Sequence, residues 1–168
     1  MSIRKMIAPI ILALTVLVAL GPASAAAERH RTTYPLQGKV RGIVSVNVQT
    51  LEIVGISRGK TSHVGKILVH MRGTVAPPGV PYTGPFTMIA RNTSDRITGT
   101  YELVGGAPNP NFHTSEMTLT ITGGTGRYIG ATGSISAVNH LTPFEFPTAG
   151  SPYLLETIEA TTRGYITY

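Results

Sequence analysis

The sequence predicts an all-β protein, an eight-stranded antiparallel up-and-down barrel, on three observations. Apolar residues recur at every second position in one segment after another, no segment of useful length carries helical spacing, and glycines fall inside several of the strands. Eight short strands without an internal repeat leave two architectures, a closed barrel or a two-sheet sandwich. Gly42, Gly99 and Gly164 favour the barrel, because a missing side chain inside a strand marks a bend or bulge that lets a sheet curl.

The strands follow in chain order. Val40, Gly42, Val44, Val46 and Val48 share one face of the first, and Leu51 to Ser57 is the second, where the alternation is weakest. Ile67, Val69 and Met71 define the third, Phe86, Met88 and Ala90 the fourth, and Ile97, Gly99 and Leu103 the fifth. The sixth, Glu116 to Thr122, is the clearest: Met117, Leu119 and Ile121 alternate with threonines, as expected of a sheet with one buried face. Ile135, Ala137 and Leu141 mark the seventh strand, and Ile158, Ala160 and Ile166 the eighth.

Residues 1–25 read as a signal peptide, with the barrel domain spanning 34–168. Arg4 and Lys5 precede an uncharged apolar stretch of 15 residues, Met6 to Leu20, and Ala23 and Ala25 then fit an A-x-A cleavage site. The stretch is shorter than the roughly 20 residues a membrane-spanning helix needs. The expectation is a secreted or periplasmic protein with no membrane span after the leader is removed. The remaining chain has 12 basic against 8 acidic residues, a net +4. Its basic residues are scattered singly from Arg29 to Arg163, so no nucleic-acid partner is expected, although a basic surface favours anionic ones. The absence of cysteine excludes disulfides and thiolate metal sites, leaving core packing to hold the fold together.

If the strands run up and down, successive connections alternate between the two ends. One end receives Gly59 to Ser62, Asn92 to Asp95 and Gly123 to Gly133. The other receives the long, proline-rich connections Ala76 to Gly84, Val104 to Thr114 and Thr142 to Pro152, which gather Tyr82, Phe112, His113, Phe144 and Phe146 around the expected mouth.

The run Gly123-Gly124-Thr125-Gly126-Arg127-Tyr128-Ile129-Gly130-Ala131-Thr132-Gly133, directly after an alternating strand, resembles the glycine-rich signature of the allene oxide cyclase and dirigent proteins and of a group of bacterial secreted proteins of uncertain role. Gly59 to Gly65 is similar to the bacterial group in particular. The resemblance implies an eight-stranded antiparallel barrel with an internal hydrophobic cavity. It differs from the dirigent pattern at Tyr128, where those proteins usually carry phenylalanine, and near Thr132, where they carry arginine. Neither family's pocket residues align with this sequence, so the resemblance implies an architecture and no particular reaction.

Motifs with definite chemistry are absent. Gly59-Lys60-Thr61 lacks the upstream glycine of a phosphate-binding loop, since Val54 stands there, and Gly124-Thr125-Gly126 lacks the third glycine of a dinucleotide fingerprint, since Ile129 takes its place. No cofactor is implied. His30, His63, His70, His113 and His140 show no metal-binding spacing and read as structural or surface residues. The informative polar residues are those in register with apolar ones: Tyr101 with Ile97 and Leu103, Asn139 with Ala137 and Leu141, Glu156 with Ile158 and Ala160. A polar group on a buried face either finds a protein partner or orients something bound there. Glu156 is the candidate general acid or base, because desolvation raises a carboxyl's pKa.

These observations support binding of a small hydrophobic molecule at the mouth by Tyr82, Tyr101, Phe112, Phe144 and Phe146, with Asn139 or Glu156 fixing its orientation. A cofactor-independent cyclase or isomerase using Glu156, and a partner-binding module with a filled barrel, are the alternatives.

Overall fold

The computed structural model describes residues 31–77, 80–105 and 113–168, so the segment read as a signal peptide, and Phe112, lie outside the described residues. The strands are β1 (Thr33–Asn47), β2 (Glu52–Thr61), β3 (Gly65–Thr74), β4 (Tyr82–Ala90), β5 (Arg96–Gly105), β6 (His113–Gly124), β7 (Thr132–Glu145) and β8 (Tyr153–Thr167). Each pairs antiparallel with its sequence neighbours, and β8 returns to β1 to close an up-and-down barrel. The barrel therefore stands, and the sandwich does not. The alternation of connections follows from it: the β3–β4, β5–β6 and β7–β8 connections share one end with the β1–β2 turn.

The pairing is strongly staggered. Followed from Gly42 through Ser57, Val69, Met88 and Ile97, it reaches Gly124 at one end of β6; followed the other way through Ile158 and Leu141, it reaches His113 at the opposite end of the same strand. Such a stagger tilts the strands and fixes the barrel's width. Gly99 shows how the sheet accommodates the curvature. The β5–β6 register shifts between Thr98 and Gly99, and a Cβ on Gly99 would collide with the Thr120 carbonyl.

β2 explains its own weak sequence signal. It turns Ile53, Gly55, Ser57, Gly59 and Thr61 inward while Val54 and Ile56 face out, the reverse of the expected distribution. Its small inward residues make that wall of the barrel thin.

One end of the interior is closed by packing. Leu36, Ile67, Ile97, Ile166 and Tyr128 are at most 1% exposed, and each of the four aliphatic side chains contributes roughly 1.5–3 kcal/mol through burial. Tyr128 arrives there from a single helical turn, Gly126–Tyr128, within the glycine-rich connection. Gly126 has φ of +58°, and a Cβ there would strike the Asp95 carboxylate, so glycine is needed for both backbone and space. Tyr128 meets Tyr168 edge-on at 5.0 Å, Tyr34 stacks on His63 at 3.9 Å, and His63 hydrogen-bonds the Tyr168 hydroxyl. At mid-height only a void of about 30 Å³ remains.

Candidate functional site

Among the described residues the other end is not filled by packing. Beneath the β1–β2, β3–β4 and β7–β8 connections lies a cavity of about 210 Å³. Its walls are mainly apolar: Val44 and Val46 of β1, Ile53 of β2, Met71 of β3, Leu103 of β5, Met117 of β6, Leu141 of β7, and Leu154 and Ile158 of β8. Gly55 and Ser57 supply the remaining β2 surface, and their small size leaves the space unfilled. Polar groups enter from Tyr82, Tyr101, His113, Ser115 and Glu156.

Glu156 is 4% exposed, on β8 between Val44 and Pro143. His113, the first residue of β6, projects past Leu141 to bring Nδ1 within 3.6 Å of Glu156 Oε1. That separation is beyond hydrogen-bonding distance but well within electrostatic reach. Removal from water pushes the Glu156 pKa up, and the positive charge available on His113 partly opposes the rise. His113 Nδ1 is buried and has no hydrogen-bond partner among the described residues. The site thus holds a carboxyl and an imidazole in electrostatic contact against an apolar wall.

Tyr101 is 3% exposed, and its hydroxyl likewise has no hydrogen-bond partner among the described residues. Two glycines make room for its ring: a Cβ on Gly73 would overlap the hydroxyl, and one on Gly84 would stand 3.0 Å from the ring edge. Burial raises the phenol's pKa, keeping it protonated and able to donate. Asn139 lies deeper, fully buried beside the mid-height void, and its Nδ2 donates to Ser115 Oγ at 3.1 Å. Ser115 in turn lines the cavity, so Asn139 acts on it from below. The Asn139 Oδ1 has no partner among the described residues.

The sequence-derived site residues thus divide. Tyr82, Tyr101 and Glu156 line the cavity, and Asn139 supports its floor. Phe144 and Phe146 are each 52% exposed and stand away from the cavity walls. A register shift between Pro143 and Glu145 makes Phe144 the bulged residue, while Pro143 takes the position opposite Glu156. Ser115 joins the site without having been singled out for it, and His113, expected at the mouth but read as a structural or surface histidine, joins it as well. The signal for Ser115 was its parity with Met117, and for His113 its place at the head of the same strand. Among the described residues no group of three or more histidine, cysteine, aspartate or glutamate side chains is placed to hold a metal ion.

No protein-family model, curated protein or solved structure matches this chain.

Proposed function

We propose that this barrel binds a small, largely apolar molecule in its open end, with a hydroxyl or carbonyl group of that molecule held by Tyr101, His113 and Glu156. The observation that carries this reading is the 210 Å³ apolar cavity on which a buried phenol, a buried carboxyl and a half-buried imidazole converge. An apolar cavity of about 150 Å³ accommodates benzene, so this one suits a somewhat larger ring system or a short branched chain. Tyr101 Oη and His113 Nδ1 are the kind of unpaired buried groups that a bound polar atom would satisfy. The leader-like segment agrees with an exported binder, and the likeness of Gly123 to Gly133 to allene oxide cyclase and dirigent turns agrees with a hydrophobic ligand. The open cavity favours this reading over a filled barrel that serves only as a partner-binding module.

Fluorescence titration with 2-naphthol, an apolar bicycle carrying one hydroxyl, tests the proposal. One saturable site is expected, unchanged in a Phe144→Ser/Phe146→Ser variant because those rings stand outside the cavity. Absence of saturable binding overturns it.

The Glu156–His113 pair also favours a second reading, cofactor-independent cyclisation or isomerisation in which Glu156 moves a proton. Turnover of cyclisable epoxides by wild type and Glu156→Gln decides it, since equal rates remove Glu156 from any such mechanism.

A further inference from the structure

Strand pairing assembles what the sequence disperses. On the outer wall, Lys39 of β1 stands opposite Lys60 of β2, which stands opposite Lys66 of β3. In the next outward row Arg41 faces Arg58, and Arg58 faces Leu68. The row after that is Ile43, Ile56 and His70, and the following one Ser45, Val54 and Arg72. Adjacent strands are about 4.8 Å apart and alternate residues along a strand about 6.7 Å, so these bases form one continuous surface. The expectation of singly scattered charges is corrected here: the linear spacing hid a cluster that the antiparallel register creates.

Like charges directly opposite on neighbouring strands destabilise a sheet, so such a row is retained at a cost. Arg41 has a carboxylate close by, Glu159 at 3.2 Å, in a pair that is largely exposed and therefore weak. Among the described residues Lys39, Arg58, Lys60, Lys66 and Arg72 have no ion-pair partner. The centre of the same face is apolar. Ile43 and Ile56 are 49% and 48% exposed, and with Val54 and Leu68 they line a shallow groove edged by Arg41 and Arg58. Elsewhere on the wall, β5 and β6 turn Glu102 and Glu116 outward among threonines with Arg96 as their single arginine, so positive charge is concentrated on the β1–β3 side. That asymmetry orients the barrel in the field of an anionic surface.

From this juxtaposition we propose that the outer face of β1–β3 attaches the barrel to an anionic lipid bilayer, its bases on the headgroup phosphates and Ile43, Ile56, Val54 and Leu68 at the acyl boundary. A soluble polyanion would use the bases alone. A bilayer surface is the partner that takes both the cationic rim and the exposed aliphatic centre.

The test is co-sedimentation of the protein with vesicles of phosphatidylcholine alone and of phosphatidylcholine mixed with phosphatidylglycerol. Binding is expected only with the anionic lipid, and it weakens between about 0.1 and 0.5 M salt as screening shortens. Lys39→Gln/Lys60→Gln lowers partitioning about 25-fold, from roughly fivefold per base. Ile43→Ser/Ile56→Ser lowers it as well, whereas Arg96→Gln, outside this face, leaves it unchanged. Thermal melts of the lysine variant confirm folding, since removing opposed like charges leaves Tm equal or higher. Equal binding to both vesicle types, or binding to heparin or duplex DNA without binding to vesicles, overturns the proposal. So does a self-association that Ile43→Ser/Ile56→Ser abolishes, which assigns the face to a second copy of the chain.

Discussion

Replacing Gly55 with leucine fills the cavity from its thinnest wall, and the geometry gives the size of the effect. A Cβ on Gly55 would lie 3.6 Å from Met71 Cβ and 3.8 Å from Val44 Cγ2, ordinary van der Waals contact, and the backbone there has no positive φ to exclude a side chain. The remaining carbons of leucine project into the cavity. With Cβ, the four side-chain carbons occupy roughly 100 Å³, counting each as somewhat smaller than a water's ~30 Å³ share of liquid volume, or about half of the 210 Å³ available. At about 0.8 kcal/mol per buried CH₂, complete burial gives about 3 kcal/mol. Relief of glycine's backbone entropy roughly offsets the rotamer freedom lost by leucine, leaving about 2–3 kcal/mol of stabilisation. For a barrel of this size that raises Tm by roughly 6–12 °C. The same substitution lowers 2-naphthol affinity at least tenfold, because the bicycle no longer fits. Differential scanning calorimetry and fluorescence titration read the two effects on one sample. A Gly55→Leu protein that melts lower than wild type, or binds 2-naphthol within twofold of it, refutes the picture of a dry, ligand-sized space beside β2.

Three further outcomes follow from the same geometry. Burial raises the folded-state pKa of Glu156 above its ordinary 4.5, so the native barrel retains that proton longer than the unfolded chain. The associated stability is fully present below the unfolded value and is lost as pH rises through the folded one. Urea denaturation across about pH 4–8 should show wild type losing stability relative to Glu156→Gln, and parallel profiles contradict the assignment. Tyr101→Phe removes a hydroxyl without a protein partner, so stability holds or rises by up to about 1 kcal/mol while 2-naphthol affinity falls about two- to tenfold; a loss of stability instead means the hydroxyl is bonded in the folded protein. Gly126→Ala forces a side chain into positive φ and against Asp95 at the closed end, costing about 1–2 kcal/mol and leaving ligand affinity unchanged. Calorimetry and the same titration separate those two readouts.

The contrast between what was legible and what was not comes from the difference between local and closed geometry. Alternation along one strand is local, so β6 shows its inward Met117, Leu119 and Ile121 directly. The up-and-down order of the strands was the premise on which the connections were sorted, and the observed pairing bears it out. β2 resisted because Gly55, Ser57 and Gly59 face inward, and an inward position occupied by a small or polar residue carries no hydrophobic signal. That weakly patterned stretch is also what leaves room for the cavity.

The pairing of His113 with Glu156 lies beyond any sequence spacing, because it depends on two successive registers, β6 against β7 and β7 against β8, which set His113 opposite Leu141 and Leu141 opposite Ile158, one inward position from Glu156. The outer rows obey the same rule. Lys39, Lys60 and Lys66 are unremarkable in the chain, and their opposition is produced by the hairpin registers of β1–β2 and β2–β3. Inner and outer faces of these strands therefore answer to separate demands. The small inward residues of β2 hold open the cavity while its outward Arg58 and Lys60 extend the cationic face. A one-residue slip of β2 against β1 would put Arg58 or Lys60 inside the barrel and destroy both. Cavity and outer face are accordingly coupled through register, although either can be altered by substitution without the other.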